Sequence, residues 1–357
     1  MRLVLNIQNS VVDVFNGYAC TTSICIDKTD GRKWFVQNYL NYLTIYNENY
    51  DFSISDYFYS DYTYNCAINF FQPENIMNFP YITYSVPCSM VKDIVAFIRD
   101  RIIDGYYVCL FVNLRYIKQY NKNSDVIHDV FIYGFDDEKR LMYATGYVNG
   151  QKYSQINYTY EEIEKAYQYL NVDSPDHIYF DTKRISFFKY RENFKYDFSV
   201  AKFINDLKEY LNIIESPSIN TRRLCYGRDY SEDLVAYGNK GITVLKEYIK
   251  KCILSKKEYV DMRQVYFLLN HKINMKYKME YLLEEGAIHD NSFVFEYDKI
   301  ISLAKKGMNL MIKFYLTKDK TYLENLIEHL DRIYDKEKEV LNKLIKCLEK
   351  YIQFEKQ

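Results

Sequence analysis

The sequence predicts an α+β domain followed by an all-helical bundle. Up to about residue 193, strand-like runs are interleaved with short stretches at helical spacing. After about residue 197, Lys, Glu and apolar residues recur every three or four positions. The third observation is the stretch from Asp125 to Asp137. His128 opens an apolar run that ends in Gly134-Phe135-Asp136-Asp137, a tight-turn signal. Leu141-Met142-Tyr143-Ala144 then starts a second apolar run, so a β-hairpin with a histidine at the head of its first strand is expected.

The elements follow in order. Arg2 to Ile7 alternates like a strand, and Trp34 to Tyr46 carries apolar residues at helical spacing. Ser89 to Ile103 reads as a helix with Ser89 as N-cap and Val91, Ile94, Val95, Ile98 and Ile102 on one face. Asp104-Gly105 ends it, and Tyr106 to Val112 follows as a buried strand. After the His128 hairpin come a short helix, Tyr160 to Tyr169, and a last strand, Ile185 to Tyr190. Helices are then expected over Phe198 to Ile214, Gly241 to Leu254, Val260 to Leu283, Tyr297 to Leu316 and Thr321 to Glu349. Ser216-Pro217-Ser218 and the stretch from Cys225 to Asp233 read as loops. Two domains follow: 1–193, α+β with an antiparallel sheet, and 197–357, a helix bundle.

A hydrophobic fraction of 48% over 357 residues is ample for a packed core. The net charge of -1 argues against nucleic acid or an anionic membrane as partner. The 40 tyrosines are spread through helical and strand-like stretches alike, which fits substitution for other large residues better than a stacking surface for single strands. Met1-Arg2-Leu3-Val4-Leu5-Asn6 meets a polar stretch at once, so no signal peptide and a cytoplasmic location are expected. The eight cysteines form no Cys-x-x-Cys pair, which argues against structural zinc and a disulfide scaffold. No metal or cofactor is expected. Glycine-rich phosphate loops and a Gly-x-Ser-x-Gly elbow are absent from the sequence.

His128 is the sole histidine of the first 176 residues, and cysteines lie upstream of it. A strand fixes an imidazole well relative to a partner on another element. Thiol catalysis wants the cysteine at a helix N-terminus, where the dipole favours the thiolate, with the histidine later on a strand. Cys20 fits best: Asn16-Gly17-Tyr18-Ala19 reads as a turn before it, and Thr21 to Ile26 could form a short helix despite their β-branched content. The competing reading makes Cys20 a small buried core residue. Cys25, Cys66 and Cys88 are weaker candidates, and Cys109 lies mid-strand in an apolar run and is expected in the core. His177, His271, His289 and His329 are expected to be surface or packing residues.

The order Cys20, then Trp34-Phe35-Val36-Gln37-Asn38-Tyr39-Leu40, then His128-Asp129-Val130-Phe131-Ile132-Tyr133-Gly134-Phe135-Asp136 resembles a known family. It is that of the papain-like proteins of bacterial natural-product clusters, such as the N-terminal domain of the butirosin acyltransferase and the closthioamide amide synthetase. Bacteriocin-leader peptidases are similar at the histidine hairpin. Tyr237-Gly238 ahead of Val244 to Tyr248, and Asp261-Met262-Arg263 through Leu268-Leu269-Asn270-His271-Lys272, resemble the family's helical half. The resemblance implies a papain-like fold and a Cys-His thiol acyltransferase or peptidase. Cys20 would take an acyl or aminoacyl group from a phosphopantetheinyl carrier-protein thioester and pass it to an amine, making an amide in nonribosomal-peptide-type biosynthesis. His128 would be the base. Leader peptidases orient the histidine with an Asp-Pro after the second hairpin strand, where this chain has Ala144-Thr145-Gly146-Tyr147. Asp129 and Asn113 are the remaining candidates for that role, although Asp129 should point to the opposite face of a regular strand. A non-catalytic scaffold or carrier-protein binder is the alternative. In the helical half, Arg263, His271 and Lys272 could dock an acidic carrier, with Arg222-Arg223 and Lys250-Lys251 as other basic spots. The plainer expectation pairs Arg263 with Asp261 or Glu280.

Overall fold

The structure, a computed structural model, describes residues 1–14, 16–46, 52–58, 79–148, 153–170, 184–214, 234–255, 257 and 259–355. Cys66, His177, Arg222, Arg223 and the two loops expected at 216–218 and 225–233 lie outside the described residues. In chain order the elements begin β1 (Arg2–Val4), α1 (Asn16–Cys25), α2 (Thr29–Asn38), β2 (Asn41–Tyr46), β3 (Phe52–Phe58) and β4 (Tyr81–Pro87). Then come α3 (Ile94–Ile103), β5 (Tyr107–Asn113), β6 (Ile127–Asp136), β7 (Leu141–Tyr147), β8 (Tyr153–Thr159), α4 (Tyr160–Gln168) and β9 (Arg184–Tyr190). The last are α5 (Val200–Tyr210), β10 (Leu234–Tyr237), α6 (Lys240–Leu254), α7 (Arg263–Glu284), α8 (Ser292–Thr317) and α9 (Thr321–Glu355).

The fold is mixed α and β, with two compact units: Met1–Gly31 with Ala67–Lys195, and Arg32–Cys66 with Tyr196–Gln357. The expected single break near residue 193 is therefore replaced by three crossings. The first unit holds a seven-stranded antiparallel sheet in the order β4-β9-β5-β6-β7-β8, with β1 also paired to β6. One sheet face packs Val108, Leu110, Val130 and Ile132 against Ile98 and Ile102 of α3 and Ile163 of α4. The other packs Cys109, Phe131, Tyr133 and Phe188 against Cys20, Ile24 and Cys25 of α1.

Two local features differ from expectation. The cap of α3 is Asp93, whose side chain accepts from Ala96 N–H at 2.8 Å, while Cys88–Met90 forms a separate 3-10 turn. Gly134 lies within β6 rather than in the turn. A Cβ there would stand 2.8 Å from the Leu3 carbonyl oxygen, so the close approach of β1 requires glycine. The turn itself is built by Asp136, whose carboxylate accepts from the N–H groups of Glu138 and Lys139 at 3.1 Å each.

The second unit contains a three-stranded antiparallel sheet, β10-β2-β3, and helices α5 to α9. Among the described residues, 240–350 contribute no strand, as expected. Helical spacing over Trp34 to Tyr46 misleads beyond Asn38, since Asn41–Tyr46 pairs with β10 on one side and β3 on the other. The reason lies on α7. His271 Nε2 meets the Leu40 carbonyl at 2.9 Å, Asn274 Nδ2 bonds Tyr39 O, and Lys278 Nζ donates to Val36 O at 2.6 Å and Phe35 O at 3.2 Å. These positions share a helix face and reach the Phe35 and Val36 carbonyls in the last turn of α2 and the Tyr39 and Leu40 carbonyls just past it. They hold the end of α2 and the two residues after it to α7.

Gly31 sits where α2 starts after α1. A Cβ at this position would lie 2.4 Å from the Cys25 carbonyl oxygen. Gly31→Ala is therefore expected to destabilise the protein by about 1–3 kcal/mol, the usual size of overpacking. Urea midpoints of the two proteins measure it, and an unchanged midpoint would show that the corner has room to yield. No described helix is long and apolar enough to cross a membrane.

Candidate active site

Helix α1 carries Cys20 through residues of poor intrinsic propensity. Burial compensates, and the helix's own hydroxyls are satisfied within it: Thr21 donates to Gly17 O at 2.9 Å, Thr22 to Ala19 O at 3.3 Å and Ser23 to Cys20 O at 2.8 Å. Cys20 is the fifth residue of α1 rather than its N-terminal one, so it lies beyond the first turn where the dipole acts. It is fully buried, 0% exposed. Burial pushes its thiol pKa well above the ordinary value, the charge of Asp129 adds to that, and a hydrogen bond with Tyr153 pulls the other way.

Strand alternation directs Asp129, with Cys109 and Phe131, to the face that α1 covers, and His128, with Val112 and Val130, to the other. The His128 ring nevertheless turns back to its neighbour: Nδ1 lies 2.7 Å from Asp129 Oδ1 and 3.1 Å from the Asp129 carbonyl. Asp129 Oδ2 in turn accepts from Asn16 Nδ2 at 2.7 Å, and Asn16 Oδ1 accepts from Cys20 Sγ–H at 3.4 Å. A line of hydrogen bonds thus runs Cys20–Asn16–Asp129–His128. No hydrogen bond joins Cys20 to His128 directly.

Burial alone would pull the His128 imidazole down. The hydrogen bonds and charge of Asp129 outweigh it and push the pKa up to about 9. Burial would likewise raise Asp129, but His128 and Asn16 hold its carboxyl below the usual carboxylate range. At neutral pH the two form an imidazolium–carboxylate pair, with Nδ1 donating. The imidazole remains about half exposed, 48% by side chain.

Of the residues the sequence singled out, Asp129 reaches His128 and Asn113 does not. Asn113 caps a 3-10 turn by accepting from Arg115 N–H at 3.2 Å, and its amide donates to Asp125 at 3.0 Å and the Tyr169 carbonyl at 3.1 Å. With its polar atoms so engaged, it orients a loop and not the imidazole. Cys109 is in the core as expected, Cys25 is buried beside it, and Cys88 is part-buried in its 3-10 turn. Sequence reasoning missed Asn16 and Tyr153. Asn16 is four residues before Cys20, a spacing that stacks two side chains on one helix face. Tyr153, whose hydroxyl lies 3.6 Å from Cys20 Sγ, has no local signal, because a separate strand brings it.

The basic stretch on α7 is also corrected. His271 and Lys272 are fully buried and cannot meet a docking partner in this conformation. Arg263 is exposed and doubly bonded to Asp261, with Nη2–Oδ2 2.7 Å and Nε–Oδ1 3.0 Å. That is the plainer of the two expected roles. Among the described residues, no group of three or more His, Cys, Asp or Glu side chains is placed to hold a metal ion. In comparisons of the sequence, no family model matches the chain and no curated protein is similar to it.

Proposed function

We propose that the chain is a papain-like thiol acyltransferase of natural-product biosynthesis, with Cys20 as nucleophile, His128 as base and Asp129 as the group that orients His128. The observation that carries this reading is the unbroken hydrogen-bonded line from the Cys20 thiol to the His128 imidazole. It joins a thiol on a helix to an imidazole and carboxylate on the sheet that helix packs against, the arrangement nucleophilic thiol catalysis uses. In the reaction, Cys20 gives its proton to His128 and its sulfur attacks the carbonyl of a carrier-protein thioester. The bond between the acyl carbon and the pantetheine sulfur breaks, and the leaving sulfur takes the proton from His128. An amine then attacks the acyl-Cys20: the C–N bond forms as the acyl carbon–Cys20 sulfur bond breaks, and the amine's surplus proton passes through His128 to the Cys20 sulfur. Asn16, now between thiol and carboxylate, must swing aside for the imidazole to reach sulfur, so the geometry is that of a resting state. The acyl donor is a phosphopantetheinyl carrier protein and the acceptor an amine. The reading places the chain in the cytoplasm, where thiols such as Cys20, Cys25 and Cys109 stay reduced.

A second reading is a non-catalytic relative that binds a carrier protein. The complete burial of Cys20 and the two side chains standing between it and His128 favour it. Incubation with an aminoacyl-pantetheine thioester, followed by intact mass and peptide mapping, separates the two. The first expects a mass gain of one acyl group on Cys20, absent in Cys20→Ala and discharged by an amine. A folded protein that never acquires the adduct is the second.

A further inference from the structure

We infer that Tyr153 is the positioning residue that holds the Cys20 thiolate, donating its phenolic proton to sulfur; this rests on the reading of Cys20 as nucleophile. The direction of each proton follows from the groups at the two ends. Asp129 can only accept, so the Asn16 atom 2.7 Å from it is the amide nitrogen, and the oxygen of Asn16 faces Cys20. The thiol is therefore the donor in the Cys20–Asn16 bond. Sulfur is left with its lone pairs, and the hydroxyl of Tyr153 lies 3.6 Å away. Either hydroxyl of the Tyr153–Thr145 pair, 2.5 Å apart, can be the donor, and with Thr145 donating to the phenol oxygen the Tyr153 proton is free for sulfur. The protons then run one way, from Thr145 through Tyr153 and Cys20 to Asn16.

The two neighbours of the sulfur differ in what they do once its proton leaves. Asn16 would present a carbonyl oxygen to a negative charge, which is repulsive. Tyr153 already presents an O–H. Stabilisation of the charged form thus falls to Tyr153, set on β8 and braced through Thr145 on β7, strands paired through Thr145↔Gln155 and Tyr147↔Tyr153. The other groups facing the pair are Asp129, Cys109 and Tyr147. Asp129 and Cys109 would oppose a thiolate, and the Tyr147 ring packs on Tyr153 at 5.1 Å with its hydroxyl bonded to the Asp13 carbonyl. Burial keeps the Tyr153 phenol protonated well past its ordinary range, so it remains a donor where the thiol ionises.

The test is the pH dependence of Cys20 alkylation by iodoacetamide, resolved by peptide mass, from about pH 6 up to the highest pH at which the protein stays folded, because burial sets this thiol above its ordinary range. Alkylation forms a carbon–sulfur bond and expels iodide, and a buffer base takes the thiol proton. Tyr153→Phe keeps the ring and removes the donor. It should slow Cys20 alkylation about tenfold or more at any pH below the midpoint and move that midpoint up by about one unit, as expected for a hydrogen bond to a charged group. A merely structural Tyr153 gives the opposite sign, since loosening the packing would expose the thiol and speed labelling. Unchanged or faster labelling would overturn the inference. Thr145→Val, which removes the proton feeding Tyr153, should shift the midpoint the same way by less, and decides the matter if Tyr153→Phe does not fold. Alkylation needs no acyl transfer. Slowed labelling without acylation by thioester would sink the proposed function and leave the donor role; acylation with unshifted labelling would do the reverse.

Discussion

Replacing His128 with alanine is expected to slow acyl transfer by about a hundredfold or more, the usual contribution of a general base. The pH profile should show why. The imidazole must lose its proton before it can take that of Cys20, and Asp129 holds that proton until about pH 9. The wild-type rate should therefore climb about tenfold per pH unit below that point and level off above it. Asp129→Asn removes the charge that raises the imidazole, so the bend should move down toward the ordinary histidine value of 6.5. A bend near pH 9 that survives in His128→Ala does not come from the imidazole, and full activity in that variant removes His128 from the chemistry. The same pair has a stability consequence. The raised His128 pKa contributes stability fully present below about 6.5 and lost as pH rises through about 9. The lowered Asp129 pKa contributes stability present above its ordinary value and lost as pH falls through the folded one.

Glu337→Ala should be among the most destabilising single changes, by about 3–5 kcal/mol. Glu337 and Lys272 are both 0% exposed and meet at 2.6 Å. Tyr210 donates to the same carboxylate at 2.7 Å and Tyr297 at 3.2 Å, while Lys272 also donates to the Tyr210 oxygen at 2.9 Å. Lys272 Nζ lies 3.2 Å from His271 Nδ1, which completes the imidazole's bonding, its Nε2 donating to the Leu40 carbonyl at 2.9 Å. Burial lowers the Lys272 pKa and the Glu337 charge opposes that shift. Truncating Glu337 leaves an ammonium and two phenols without their acceptor in the core of the helical unit. Replacing both members, as Lys272→Met with Glu337→Leu, should recover most of the loss, because no uncompensated charge remains. Urea denaturation of the single and double variants measures both effects. A single variant within about 0.5 kcal/mol of wild type, the usual range of a surface change, would mean that water reaches the site.

Much of the first unit was legible from local pattern. The His128 strand, its hairpin partner and the buried strand at 107–113 follow from short apolar runs between turn residues. The long helices after residue 240 follow from apolar residues at three- and four-residue spacing. These signals are local because each element's own side chains must cover one face of it. The sequence by itself also marked Cys20 and His128 as a thiol and an imidazole worth comparing.

What only the tertiary structure decided depends on partners far along the chain. Segment 41–46 is a strand because β10 and β3 flank it, and side chains from α7 take the Val36 carbonyl near the end of α2 and the Tyr39 carbonyl just past it. Gly134 is glycine for the sake of β1, more than a hundred residues earlier. Asp129 reaches His128 although alternation sends the two apart, because the second residue of a strand has room to turn its ring around the sheet end. Asn16 and Tyr153 flank the thiol because α1 packs on the sheet whose strand β8 carries Tyr153. Lys272, a docking candidate in the sequence, is wholly buried in the fold, as is Lys278. Periodicity reports which face of an element is apolar, but hydrogen-bond and charge partners are set by long-range packing, which leaves no local pattern to read.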